Sequence, residues 1–143
     1  MHTEKIEKLF SEYEKAFNAL DMRAIAHHYA DNFISAGPKG TIAQTKEQFL
    51  KMSEQAGEMY KSLGQNSAKI LSKRIGTISK EYYMVTVHWG VTFEKTGNKL
   101  IEFDITYFVY LTSGEPKIIM FISHQDEEEE MKKLGLKPEF MKQ

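Results

Sequence analysis

Several features that often reveal a protein's function are missing from this sequence. Its 143 residues include no cysteine, which excludes disulfide scaffolds, thiol catalysis and zinc sites with cysteine ligands. The 19 Lys and Arg nearly balance the 20 Asp and Glu, so no surplus of positive charge is available for nucleic acid or an anionic membrane. Long apolar runs are absent, and the charged start does not resemble a signal peptide. We therefore expect a single cytoplasmic domain, residues 1–143, with neither nucleic acid nor membrane as a partner.

What the chain does contain is enough apolar material for a core. Hydrophobic residues make up 41% and aromatic residues 12% of the sequence. In the first third, apolar residues recur at helical spacing, and Thr3, Asp21 and Thr45 are candidate caps of three helices. The spacing extends the second helix through Tyr29 and stops the third at Gly64. A short apolar run between these two helices is followed by a turn signal, Gly-Pro-Lys-Gly.

Beyond the third helix the hydrophobic period changes from helical to alternating. Alternation and turn signals predict four strands, at residues 67–80, 82–94, 100–111 and 117–125. A last helix begins at Asp126. Helices followed by consecutive antiparallel strands predict an α+β fold in which the helices cover the more apolar face of the sheet. A twisted, curved sheet wrapped around helices leaves a gap at its wide end, and a ligand is expected there.

Four segments, in this order and spacing, resemble the nuclear-transport-factor-2-like (NTF2-like) superfamily, and within it the SnoaL-like group. They are FSEYEKAFNALDMRAIAHHYADNF, GPKG with TKEQFLKMSEQ, VTVHWGVTFEKTGNKLIEFDITYFVYL and PKIIMFISHQDEEEEMKKLG. The resemblance covers about residues 4–136. It implies a cone-shaped half-barrel, also called cystatin-like, in which a curved antiparallel sheet wraps around the N-terminal helices. It also implies an interior pocket and a homodimer formed through the outer sheet face.

The resemblance implies that the odd-numbered residues of the two strands at 82–94 and 100–111 face inward, in agreement with the alternation. The ligand-binding residues predicted on this basis are Trp89, Tyr107, Phe103, Ile105, Val87, Phe121, Ser123, Tyr29 and Phe17. Phe49 and Met52 are expected to close the pocket. Such a wall is rich in aromatic groups and poor in charge, so the expected ligand is a small apolar or aromatic molecule with one or two hydrogen-bonding groups. No cofactor is implied.

The family also includes isomerases, cyclases, dehydratases and epoxide hydrolases. The epoxide-hydrolase branch requires an Arg and two Asp, which the resemblance aligns with Val87, Trp89 and Ser123, so that activity is not expected. Isomerase chemistry would have Tyr107 as a donor, but no inward carboxylate is evident in the sheet. Asp126 is the position most like the catalytic Asp of SnoaL-like cyclases, with His124 two residues before it. Asp126 is also well placed to cap the last helix, and capping is the preferred interpretation of this residue.

Two other groups of residues were considered as sites. His88 and Asp104 share the even-numbered face and are expected to lie close together, in a surface or dimer contact. Adjacent helical residues point about 100° apart, so His27 and His28 do not chelate one ion, and we expect them at the solvated surface. No metal site is predicted.

Three functions stay open on the sequence alone. The preferred interpretation is a small-molecule-binding domain without a clear catalytic set. The second is a SnoaL-like or ketosteroid-isomerase-like enzyme that acts by proton transfer on a cyclic or polyketide-like substrate, with Asp126, His124 and Tyr107 as candidates. The third is a dimeric structural module whose cone is filled by its own side chains. An open apolar cavity would favour the first.

Overall fold

A computed structural model describes residues 3–111 and 114–133. The elements in chain order are α1 (Thr3–Asn18), α2 (Met22–His27), β1 (Tyr29–Gly37), β2 (Gly40–Thr45), α3 (Lys46–Ser62), β3 (Gln65–Thr77), β4 (Tyr82–Phe93), β5 (Ile101–Tyr110), β6 (Lys117–Ser123) and α4 (Glu127–Lys133). The final Leu134-Gly135 of the segment that carries the resemblance lies outside the described residues.

The helix caps follow the sequence closely. Asp21 accepts a hydrogen bond from the Ala24 backbone at 3.1 Å and begins α2. Thr45 and Gln48 form a reciprocal capping box that begins α3, with hydrogen bonds of 2.9 and 3.1 Å. Gly64 follows α3 with a φ of 75°, a conformation that favours glycine at a helix end. These local hydrogen bonds fix where the helices begin and end, independently of the sheet.

The second helix is shorter than predicted. It ends at His27, and Tyr29 begins strand β1, so the helical assignment of Tyr29 was wrong. The reason lies in tertiary packing: the Tyr29 ring is 1% exposed and lies 4.7 Å from the Phe33 ring and 4.5 Å from the Phe49 ring, centroid to centroid. A helical Tyr29 would forgo its strand pairing with Ile118.

The six strands form one unclosed sheet in the order β2-β1-β6-β5-β4-β3. Its neighbours pair antiparallel, except that β1 pairs with β6 in parallel. The prediction of helices first and only antiparallel strands afterwards was therefore wrong for the β1–β2 hairpin, which lies between α2 and α3. The α+β class is confirmed, as is the curved sheet wrapped around the N-terminal helices.

The two faces of the sheet are those that the alternation predicted. In the β4–β5 pair Trp89 lies opposite Phe103, and His88 lies opposite Asp104. The inward residues of these two strands are buried, apart from the half-buried Ile105. Helix α1 covers one part of this inner face, where its Phe17 ring lies 5.2 Å from the Trp89 ring. None of the helices within the described residues is long and apolar enough to cross a membrane.

Candidate functional site

The inner face of the sheet is not completely filled. Between the helices and strands β5 and β6 lies a cavity of about 220 Å³. The described residues that line it are Tyr13, Phe17, Met22, Ile25, Tyr29, Phe49, Ser53, Ala56, Tyr60, Phe103, Ile105, Tyr107, Phe121 and Ser123. Tyr60 on α3 and Phe103 and Tyr107 on β5 are buried. The other lining residues of α3, β5 and β6 are half-buried, namely Phe49, Ser53, Ala56, Ile105, Phe121 and Ser123. The mouth of the cavity therefore lies between α3 and these strands.

The cavity wall is apolar and uncharged. Among the described residues that line it there is no Asp, Glu, Lys, Arg or His. Its polar groups are the hydroxyls of Tyr13, Tyr29, Tyr60 and Tyr107 together with two serines, Ser53 and Ser123. This is the usual composition of a small-molecule pocket, in which apolar walls supply contact area and a few polar groups fix orientation.

Three of the tyrosines form a hydrogen-bonded chain. The Trp89 indole N–H donates to the Tyr107 hydroxyl at 3.0 Å, and the Tyr13 and Tyr29 hydroxyl oxygens are 2.8 Å apart. Tyr107 is also hydrogen-bonded to Tyr13, which links the two pairs. An indole can only donate, so the Tyr107 hydroxyl accepts from Trp89. Either hydroxyl can be the donor between Tyr13 and Tyr29; in the order in which Tyr107 donates to Tyr13 and Tyr13 donates to Tyr29, the Tyr29 hydroxyl keeps its proton for a further acceptor.

The hydroxyls of this chain are held in their neutral form. Burial raises the pKa of Tyr13 well above its usual value, the neighbouring Tyr29 raises it further, and the hydrogen bond from Tyr107 acts in the opposite direction. Burial, followed by the proximity of Tyr107, likewise raises the pKa of Tyr29, against the effect of its bond with Tyr13. At neutral pH the chain is therefore a set of hydrogen-bond donors rather than a base.

Most of the predicted ligand-binding residues lie around this cavity. The predicted residues that line it are Tyr107, Phe103, Ile105, Phe121, Ser123, Tyr29 and Phe17. Val87 and Trp89 are not in its lining, which corrects their predicted place. Both are fully buried in the core, and the rings of Tyr13 and Phe17 on α1 lie over Trp89 at 5.8 and 5.2 Å. Met52 is 60% exposed and does not close the pocket, whereas Phe49 lines it.

The three candidate catalytic residues are not brought together. Tyr107 is part of the buried chain, whereas His124 is exposed and hydrogen-bonds the Thr106 hydroxyl at 2.7 Å. Thr106 pairs with the even-numbered residues of the outer face, so His124 lies across the sheet from the cavity. Asp126 lies just before α4, and its carboxylate pairs with Lys39 Nζ at 3.2 Å. The described residues thus contain no constellation of these three groups.

A groove adjoins the cavity at the end of β6. Its volume is about 440 Å³, and the turn between β1 and β2 forms one of its walls. Phe121 and Ser123 line both the groove and the cavity. Gln125 and Asp126 continue the wall beyond Ser123, and Lys39 faces them from the hairpin. The groove is therefore an extension of the same inner surface, with charged groups that the cavity lacks.

The outer face carries an ionic cluster where the sequence predicted one. His88 Nδ1 lies 2.7 Å from Asp104 and its Nε2 lies 2.8 Å from Glu102. These bonds, that of Glu102 first and that of Asp104 next, raise the pKa of His88 above its usual value. The bond from His88 lowers the pKa of Asp104 against a smaller effect of burial. The cluster is partly solvated, and no group of residues arranged to hold a metal ion occurs in the described part of the chain.

Some features of the site escaped the sequence reasoning. Tyr13 was assigned only to the apolar stripe of the first helix, although a tyrosine between Phe10 and Phe17 on a buried stripe signals a hydroxyl that needs an internal partner. Ser53 was not predicted, because the sequence of α3 shows no clear polar pattern on its inward face. His28 is 8% exposed, so its predicted solvated position was wrong. Burial lowers the pKa of His28, with the nearby Glu12 acting in the opposite direction.

Comparisons with known proteins agree on the fold. The sequence model of the family described as NTF2-like protein (DUF6841) matches residues 3–126. No curated protein matches the chain. A solved NTF2-like protein of unknown function from Shewanella oneidensis is 22% identical, with a TM-score of 0.74 over 87% of this chain and 100% of its own.

Two further structures carry names that suggest chemistry. A putative scytalone dehydratase from Novosphingobium aromaticivorans is 13% identical, with a TM-score of 0.69 over 85% of this chain and 82% of its own. A ketosteroid isomerase-like protein from Erwinia carotovora is 15% identical, with a TM-score of 0.63 over 86% of this chain and 95% of its own. At these identities the likeness shows the fold and not an activity. The cystatin-like class is also that of a Nostoc punctiforme protein with a TM-score of 0.67.

Proposed function

This chain belongs to the NTF2-like family DUF6841, and on that premise we propose that its interior cavity binds a small, mainly aromatic molecule that carries one hydrogen-bond-accepting oxygen. One observation carries the proposal: the described wall of the cavity is apolar and uncharged, and it includes three tyrosines, Tyr13, Tyr29 and Tyr107, whose hydroxyls form the hydrogen-bonded chain. Assignment to the SnoaL-like group stays a prediction, as does the cytoplasmic location.

The size of the cavity restricts the ligand. An apolar cavity of about 150 Å³ accommodates benzene. The 220 Å³ available here therefore suits one substituted ring or two fused rings. Aromatic rings from α1, β1, α3 and β5 surround this space, so a flat ring finds contacts on several sides. Each Å² of apolar surface removed from water contributes about 25 cal/mol.

The hydrogen-bonded chain supplies the polar contact. Tyr29 lies at its end and retains a proton that a carbonyl or phenol oxygen of the ligand can accept. The bonds from Trp89 through Tyr107 and Tyr13 polarise the Tyr29 hydroxyl in the same direction. A ligand with no oxygen would leave this donor without an acceptor, which disfavours it relative to a phenol or ketone of similar shape.

Proton-transfer catalysis is less well supported than binding. A general base works best when its pKa lies near the operating pH. Tyr13 and Tyr29 have pKa values well above that range, and Asp126 and His124 lie outside the cavity. The isomerase-like alternative would require the protein to convert a cyclic ketone. Product analysis after incubation of the ketone with the protein detects such a conversion. The filled-cone alternative is disfavoured by the volume of the cavity.

The test uses 2-naphthol, with naphthalene as the matched probe that lacks oxygen. We expect 2-naphthol to bind and to raise the melting temperature, measured by calorimetry and thermal shift. Tyr29→Phe should lower the affinity for 2-naphthol about fivefold, the value of one neutral hydrogen bond, and leave the affinity for naphthalene unchanged. Tyr110→Phe, an exposed tyrosine on the outer face, is the control. Absence of binding by 2-naphthol at millimolar concentration and by naphthalene up to its solubility limit would overturn the proposal.

We propose separately that the chain forms a homodimer through its outer face. Tyr82, Met84 and Tyr110 are exposed there, and the rings of Tyr82 and Tyr110 lie 5.1 Å apart. A contiguous exposed apolar patch of this kind is typical of an interface. Sedimentation of the wild type should show a dimer at micromolar concentration, and Met84→Lys should give a monomer. Met52→Lys, on exposed α3, should stay dimeric; a purely monomeric wild type would refute the dimer.

A further inference from the structure

We propose that the binding site has a second, polar compartment, the groove beneath the β1–β2 hairpin, and that it takes a cationic group attached by a short chain to the aromatic ring in the cavity. The inference rests on the proposed function and goes beyond it, because it specifies the ligand as an arylalkylamine. It also gives Lys39 and Asp126 a role in selecting the ligand.

The first step is the continuity of the two spaces. Phe121 and Ser123 contribute to the walls of both, so a molecule seated against them extends from one space into the other. A Cβ atom placed on Gly37 would lie 3.7 Å from the Ser123 Cβ, in van der Waals contact with it. Because β1 and β6 are paired strands, an alkyl chain has to lie over them, and with no side chain at Gly37 this surface beside Ser123 stays uncovered.

The second step concerns the charges at the far end of the groove. The side chain of Asp126 is 19% exposed, whereas that of Lys39 is 68% exposed. The Asp126 carboxylate is shielded from water, so it is strongly stabilised by any close cation. The Lys39 ammonium is mostly solvated already, so it loses little free energy when it leaves the ion pair for water. A ligand ammonium can therefore take the place of Lys39 Nζ, now 3.2 Å from the Asp126 carboxylate, at little cost. A ligand carboxylate would instead meet the like charge of Asp126.

The third step concerns Gln125, which does not take part in selecting a charged tail. Gln125 lines the groove, but its amide is used in bonds to Asp104: its Oε1 accepts from the Asp104 backbone at 2.7 Å, and its Nε2 donates to the carboxylate at 3.3 Å. Gln125 therefore holds the end of β6 against β5 and contributes its stem to the wall. Selection of a charged tail falls to Asp126 and Lys39.

The experiment compares three probes that share a naphthol ring and differ in the end of one chain: 6-propyl-2-naphthol, 6-(3-aminopropyl)-2-naphthol and 6-(2-carboxyethyl)-2-naphthol. Calorimetry on the full chain at neutral pH and low salt gives the affinities. We expect the amine to bind more tightly than the propyl probe, and the carboxylate to bind more weakly, with the ammonium displacing Lys39 from Asp126. In Lys39→Gln no ion pair is displaced, so the advantage of the amine should grow to about tenfold, the value of one hydrogen bond between charged groups.

Three variants keep the test specific. Asp126→Asn should reduce the affinity for the amine to that for the propyl probe, while Asp31→Asn, which removes a carboxylate 3.7 Å from Lys46 elsewhere on the hairpin, should change nothing. Gly37→Val should weaken all three tailed probes but not 2-naphthol. If 2-naphthol and the propyl probe bind and the amine has no advantage, this inference alone is overturned. If none of the probes binds, the proposed function and this inference both fail.

Discussion

Adjacent residues of one strand, Trp89 and His88, belong to opposite environments. Trp89 is fully buried and donates to Tyr107 on β5 at 3.0 Å. His88, with 32% of its side chain exposed, is bonded to Asp104 on the same strand β5 at 2.7 Å. Inside, burial keeps the hydroxyls neutral, whereas outside, carboxylate neighbours favour the charged imidazole. One pair of strands therefore keeps a dry, neutral site separate from a charged surface.

The largest expected effect is on the inner side. Trp89→Ala should lower the free energy of unfolding by about 3–5 kcal/mol, because it leaves a cavity beneath Tyr13 and Phe17. Denaturant titration followed by circular dichroism measures this loss. Lys69→Ala, an exposed side chain on the outer face opposite Gly90, should cost about 1 kcal/mol or less. Equal losses for the two variants would contradict the division of the sheet into a core face and a surface face.

An intermediate effect is expected from one buried hydroxyl. Tyr107→Phe removes the acceptor of the Trp89 indole and breaks its link to Tyr13, so it should lower the free energy of unfolding by about 1–3 kcal/mol. The same denaturant titration measures it, with the exposed Tyr82→Phe as the control. Because the broken bonds join neutral groups, the loss should be constant between about pH 5.5 and about pH 9. A loss no larger than that of the control would refute the chain.

The smallest effect should depend on pH. The pKa of His88 is raised in the folded protein, so its stabilisation is complete below its ordinary pKa of about 6.5 and is lost as the pH rises through the raised value. The lowered pKa of Asp104 sets the acid limit, where stabilisation is lost as the pH falls through that value. The wild type should exceed His88→Gln by about 1 kcal/mol or less at about pH 5.5. At about pH 9 the difference should shrink, and an unchanged difference would refute this account.

Strands β4 and β5 show how much of the site could be predicted from the sequence. Alternation assigned Trp89 and Tyr107 to the inner face and His88 and Asp104 to the outer face, because successive side chains of a strand point to opposite sides. Alternation does not encode depth, however. Val87 and Trp89 point inward as predicted, yet they are buried in the core, with the α1 rings of Tyr13 and Phe17 over Trp89, and only their neighbours towards the mouth line the cavity.

The first strand shows a different limit. Tyr29 continues the helical spacing of the residues before it, so local periodicity places it in α2. Its place in β1 depends on pairing with β6 and on the rings of Phe33 and Phe49. That partner strand lies far along the chain, where no window of local sequence can detect it. The end of the tyrosine chain could therefore be located only once the sheet was assembled.

The indole behind this chain has a practical consequence. Trp89 is the only tryptophan, and its N–H is bonded to the hydroxyl of Tyr107, a residue of the cavity wall. The emission of its indole therefore comes from one known position, in contact with two residues of the cavity wall, Phe17 and Tyr107. The chain carries a built-in optical reporter, and entry of a molecule can be followed in unlabelled protein by the colour and intensity of that emission.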